Sequence, residues 1–83
     1  MDIGVEISLY PLAEDFSPMI HDFIGRLSGH PSLKVVAGSL STHVCGEYEQ
    51  VFEALRGELR ATLESRALDA GKAAFVLKVL GPF

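Results

Sequence analysis

The chain has 83 residues, 48% of them hydrophobic, and a formal net charge of −4 at pH 7. A chain this short makes one domain and buries only roughly 60–65% of the surface its unfolded form exposes. Its seven Lys and Arg are scattered from Arg26 to Lys78, so it lacks the basic footprint of a nucleic-acid binder, and its single cysteine, Cys45, excludes an intramolecular disulfide and any Cys-x-x-Cys motif.

Residues Asp2 to Tyr10 alternate: Ile3, Val5, Ile7 and Leu9 point one way, and Gly4, Glu6, Ser8 and Tyr10 the other. That period of two predicts a strand with one face in a core, ended by Pro11. A loop through Asp15 and Phe16 leads to Ser17-Pro18, a helix start in which Ser caps and Pro suits the first position. Phe16, Met19, Ile20, Phe23, Ile24 and Leu27 then recur at helical spacing, with His21, Asp22 and Arg26 opposite and Gly29 closing the helix.

Leu33 to Ala37 reads as a second strand, Gly38-Ser39 as a tight turn, and Leu40 to Cys45 as a third strand broken by Gly46. A long helix is expected from about Glu47 to Leu68, with Tyr48, Val51, Phe52, Leu55, Leu59, Leu63 and Ala67 as its apolar stripe and Gly71 as its end. Ala73 to Leu80 is the last strand, with Phe75, Leu77 and Val79 inward. The order predicts an α+β fold over residues 1–83: a ferredoxin-like βαββαβ sandwich with a four-stranded antiparallel sheet and two helices on one face.

That arrangement leaves a bare sheet face carrying Glu6, Ser8, Tyr10, Val36, Ser41, His43, Cys45, Ala74, Val76, Lys78 and Leu80. The mixture is too apolar for a fully solvated surface, so burial against a second copy of the chain is expected. The chain opens without a basic region followed by an apolar run, and no apolar stretch approaches the ~18 residues of a membrane span. A cytoplasmic protein without membrane insertion is the expectation.

A ferredoxin-like fold hosts many functions, so function must come from the site. There is no Cys-x-x-Cys loop after the first strand, no aromatic and basic pattern on the central strands, and no Gly-rich phosphate loop before a helix. His21 reads as a solvated helix residue and His30 as a loop residue. His43 falls on the bare face, where its role is purely structural or it contacts a ligand or a partner chain. Cys45 lies two positions on, some 6–7 Å away along the strand, and reads as a small half-buried residue rather than an activated thiol. Glu6 and Lys78 point to the same face as an ion pair, with a ligand amine as the alternative partner of Glu6. Tyr10 offers a ring to a flat heterocycle or to an interface. Ser41 and Thr42 supply short hydroxyls to the turn or to a polar ring. Asp15 is a capping residue in the simplest reading.

The run Ser8-Leu9-Tyr10-Pro11, then Asp15-Phe16, Ser41-Thr42, Val44, Gly46 and Val51-Phe52, resembles the YkoF-like thiamine/hydroxymethylpyrimidine-binding family. The resemblance runs from the first strand into the second helix. It implies a ferredoxin-like fold and cytoplasmic, non-catalytic binding of thiamine or its hydroxymethylpyrimidine precursor, linked to precursor uptake or salvage, with no cofactor or metal beyond that ligand. The residues matching its motifs are Tyr10, Asp15, Ser41 and Thr42; His43 and Glu6 join them as candidates from their place on the bare face. Family proteins carry two such repeats in one chain, so a homodimer of this single repeat is implied. Two rival readings stand beside it: a homo-oligomeric regulatory or assembly domain without a vitamin ligand, and a small dimeric α+β enzyme using His43 or Tyr10.

Overall fold

The computed structural model describes residues 1–11, 17–65 and 72–83. Its elements are β1 (Asp2–Pro11), α1 (Ser17–Ser28), β2 (Lys34–Ala37), β3 (Thr42–Glu47), α2 (Tyr48–Leu63) and β4 (Ala73–Leu80). The four strands form one antiparallel sheet in the order β2-β3-β1-β4, the ferredoxin-like arrangement. The alternation of β1 sets the layers: Ile3, Val5 and Ile7 are buried and face the helices, where Phe23, Leu27, Val44, Val51 and Leu55 complete the core.

Three local expectations shift. The third strand begins at Thr42 rather than Leu40, because Leu40 lies in the turn and is 91% exposed. Gly46 continues that strand, paired with Ile3. A Cβ there would lie 3.0 Å from Leu33 Cδ2 and 3.3 Å from Val51 Cγ2, so the missing side chain lets α2 start close against the sheet. The second helix ends at Leu63, with Glu64 as its C-cap. At its other end the Glu47 carboxylate accepts from the backbone N–H of Glu49 and Gln50 at 2.9 and 3.2 Å, satisfying two of the free amide donors of the first turn.

The buried face of α2 is also turned from the expected stripe. Val51, Ala54, Leu55 and Thr62 are buried, whereas Tyr48, Phe52 and Leu63 are exposed. The rotation places Glu58 and Thr62 against α1. Arg26, expected to be on the wet side, donates from Nε to Glu58 Oε1 at 2.9 Å and from Nη2 to Thr62 Oγ1 at 2.6 Å. His30 Nε2 donates to the other carboxylate oxygen at 2.8 Å. The expected helix and loop positions at Asp15, Phe16, Ala67 and Gly71 lie outside the described residues.

Candidate functional site

β1 is longer than its neighbour on one side. Its pairing with β3 stops at Ile7–Thr42, while its pairing with β4 runs on through Ser8, Leu9 and Tyr10 to Pro11. The β2–β3 turn, residues 38–41, falls where β3 would otherwise continue. The result is a cleft of about 110 Å3 at the sheet's end. Ile7 and Leu9 from β1 and Ile20, Phe23 and Ile24 from α1 give it apolar walls. Four residues with hydroxyl side chains, Ser8, Ser39, Ser41 and Thr42, also border the cleft. An apolar slot with a few convergent polar groups is the usual make-up of a small-molecule site. At about 110 Å3 it is smaller than the apolar cavity of about 150 Å3 that accepts benzene, so it seats at most part of one substituted ring.

Ser41 and Thr42 therefore meet in one cleft, although they point to opposite sides of the sheet. Thr42 is 6% exposed on the helix side. Ser41 faces the open side, where its Oγ lies 3.3 Å from His43 Nε2. His43 belongs to a row that crosses all four strands, Val36–His43–Glu6–Lys78. In it the Glu6 carboxylate lies 3.4 Å from His43 Nε2 and 3.8 Å from Lys78 Nζ. Beside this row is a second, shallower depression of about 330 Å3, lined by Gly4, Glu6, His43, Cys45, Lys78, Leu80 and Phe83.

Ser41, His43 and Glu6 do not form a nucleophile relay. In such a relay the acid holds one imidazole nitrogen while the other takes the serine proton. Here the serine and the carboxylate both approach Nε2. Cys45 is exposed, correcting the expectation of a half-buried thiol. It is no closer to an activated pair, since Glu6 and Ser41 engage the neighbouring imidazole.

Tyr10 stands apart from this cluster. It pairs with Ala74 near the end of β1, about 13 Å along the strand from Glu6, and its ring is exposed. Asp15 lies outside the described residues. Missing from the sequence reading were the contributions of Ser8, Ser39, Ile20 and Ile24. The helical spacing of Ile20 and Ile24 was visible, but the cleft exists only because β1 outruns β3. Among the described residues, no group of three or more His, Cys, Asp or Glu side chains is placed to hold a metal ion, and no helix is long and apolar enough to cross a membrane.

No family model matches the chain, and no curated protein matches it. Solved structures do. A protein of Thermotoga maritima named a "putative thiamine biosynthesis/salvage protein" superposes with a TM-score of 0.81 at 23% identity, over 95% of this chain and 82% of its own. A domain of unknown function, DUF77, from Bacillus cereus superposes with a TM-score of 0.81 at 13% identity, over 99% of this chain and 77% of its own. A Streptococcus pneumoniae protein gives a TM-score of 0.84 at 16% identity, over 100% of this chain and 89% of its own. At these identities the likeness establishes the fold, the ferredoxin-like arrangement described above.

Proposed function

We propose that this chain binds thiamine, or its hydroxymethylpyrimidine half, without carrying out chemistry on it, in the cytoplasm and in the service of thiamine-precursor uptake or salvage. The observation that carries this reading is the small cleft where the apolar walls of β1 and α1 are bordered by Thr42 and the turn residues Ser39 and Ser41. An aminopyrimidine needs donors and acceptors at its edge and apolar contact on its faces, and the cleft offers both. Its volume leaves room for no more than one ring, so in this reading the edge of the pyrimidine half enters and the remainder of thiamine stays outside. The thiamine-related name of the Thermotoga maritima neighbour supports the same ligand class. The reading assigns no catalytic residue.

Calorimetric titration with hydroxymethylpyrimidine, thiamine and an unrelated heterocycle tests this. Selective binding of the first two is expected, together with a rise in melting temperature. Thr42→Val keeps the shape and removes one hydroxyl. It should weaken binding by roughly 5–10-fold, the effect of one hydrogen bond of about 1 kcal/mol. No heat and no thermal shift at millimolar ligand would overturn the reading.

A further inference from the structure

Among the described residues, the edge of β1 that faces β3 has no strand partner at its far end. β1 pairs with β3 from Asp2 to Ile7, and with β4 from Gly4 to Pro11. In an antiparallel sheet the N–H and C=O of one residue point to the same side of the strand, and successive residues point to opposite sides. Two bonds at the start of β1 fix which residues point where. Phe83, which follows β4, donates its N–H to Asp2 O at 2.9 Å, and Tyr48, which follows β3, donates its N–H to Met1 O at 2.9 Å. Even-numbered residues of β1 therefore present their backbone to β4, and odd-numbered residues to β3.

Ile3, Val5 and Ile7 have Gly46, Val44 and Thr42 opposite them on the β3 side. The next odd-numbered residue is Leu9. β3 begins at Thr42, and the chain before it bends toward β2, where Ser41 O accepts from Gly38 N at 2.9 Å. No described strand stands opposite Leu9, and its N–H and C=O face the cleft that it lines together with Ile20, Phe23 and the β2–β3 turn. Leu9 is half-buried and packs against the core. Backbone groups in such a place are normally paired, so an open donor and acceptor here form a reading edge for a bound group.

We infer that the main chain of Leu9 recognises the ligand, through a planar edge that carries a donor beside an acceptor. This rests on the ligand reading above and narrows it. The amino group and the adjacent ring nitrogen of hydroxymethylpyrimidine form such an edge. The amino N–H donates to Leu9 C=O, and the ring nitrogen accepts from Leu9 N–H. The ring edge then extends the ladder of β1 where β3 stops, which suits a cleft too small for a whole ligand. The serine and threonine hydroxyls at the rim rotate to donate or to accept, so they discriminate little. The backbone of a strand has a fixed donor and a fixed acceptor. A ring with acceptors alone leaves the Leu9 C=O unpaired and binds more weakly.

Amide exchange of the full chain, followed by nitrogen-15 NMR, tests this. In the free protein the Leu9 N–H should exchange much faster than those of Val5 and Ile7, which face β3. Saturating hydroxymethylpyrimidine should slow it and move its proton signal downfield. The analogue with hydrogen in place of the amino group should still move the Leu9 signal but bind roughly 5–10-fold more weakly, the loss of one hydrogen bond. Slow exchange at Leu9 before ligand is added overturns the inference, because that edge is then already paired. So does an analogue that binds as tightly as its parent. Hydroxymethylpyrimidine that binds by calorimetry but leaves the Leu9 N–H fast and unmoved overturns this inference and leaves the ligand reading standing. No binding at millimolar concentration removes both.

Discussion

Glu58 on α2 and Arg26 on α1, 32 residues apart in sequence, meet at 2.9 Å across the helix pair. His30 binds the second oxygen of the same carboxylate at 2.8 Å. Its hydrogen bond is the main cause holding the Glu58 carboxyl below the ordinary glutamate range; Arg26 adds to it and burial opposes it. A carboxyl that is more acidic folded than unfolded stabilises the fold above its unfolded pKa, and that contribution is lost as pH falls through the folded value. Glu58→Gln should therefore cost about 1–2 kcal/mol at neutral pH. In urea unfolding the gap between wild type and variant should narrow as pH is lowered from 7 through the carboxylate range. A gap independent of pH would show that the carboxylate charge contributes nothing.

Gly46 near the end of β3 and Gly57 within α2 should respond oppositely to alanine. At Gly46, just before α2, a Cβ would meet Leu33 Cδ2 at 3.0 Å and Ser32 O at 3.3 Å. Overpacking of this kind costs about 1–3 kcal/mol. At Gly57, inside α2, a Cβ would meet nothing within 4 Å. Alanine there should stabilise by about 0.5–1 kcal/mol, through helix propensity and a less flexible unfolded chain. Denaturant midpoints of the two variants should fall on either side of the wild type. Equal shifts would mean that the start of α2 is looser than its packing implies.

These helix positions also mark where sequence patterning stops being informative. Strands with clean alternation were readable in their extent: β4 spans Ala73–Leu80 as expected and β1 buries Ile3, Val5 and Ile7, but Leu77 and Val79 of β4, expected inward, are exposed because the helices do not cover that end of the sheet. The side chains that lock α1 to α2 were not, because Arg26, His30 and Glu58 look like solvated charges until packing fixes the rotation of α2. Gly46 carried the signal of a strand breaker, yet close approach of α2 to the sheet needs a residue without a side chain there. The cleft was half legible. Ser41 and Thr42 stood out as paired hydroxyls beside a turn, but their meeting with Ser8, Ile20 and Ile24 depends on unequal strand lengths, a property of register rather than composition.

Cys45 offers a chemical test of whether the open sheet face is covered when copies of the chain are brought together. Its thiol is exposed on the open face of the sheet, on β3 and therefore two strands away from β4. A face that stays open leaves it reachable. A thiol reagent should titrate it fully in the native protein, at a rate that does not change with protein concentration. Protection that grows with concentration would place a contact between copies on the sheet face.

Glu6 and Thr42 together distinguish the cleft from the open sheet face as the ligand's place. Glu6 has His43 and Lys78 as neighbours at 3.4 and 3.8 Å; His43 and Lys78 are exposed and Glu6 is half-buried. Ion pairs of this kind contribute at most about 1 kcal/mol, so Glu6→Gln should leave the melting temperature almost unchanged. It lines the open depression and not the cleft. If the pyrimidine ring sits among Ser8, Ser41 and Thr42, its affinity should change less than about two-fold in Glu6→Gln, under 0.5 kcal/mol, and should drop in Thr42→Val. The reverse pattern, with binding lost in Glu6→Gln and kept in Thr42→Val, would move the ligand to the row of His43, Glu6 and Lys78. There the carboxylate would be answering a cationic group such as the thiazolium, and the small cleft would be a packing feature of the sheet's end.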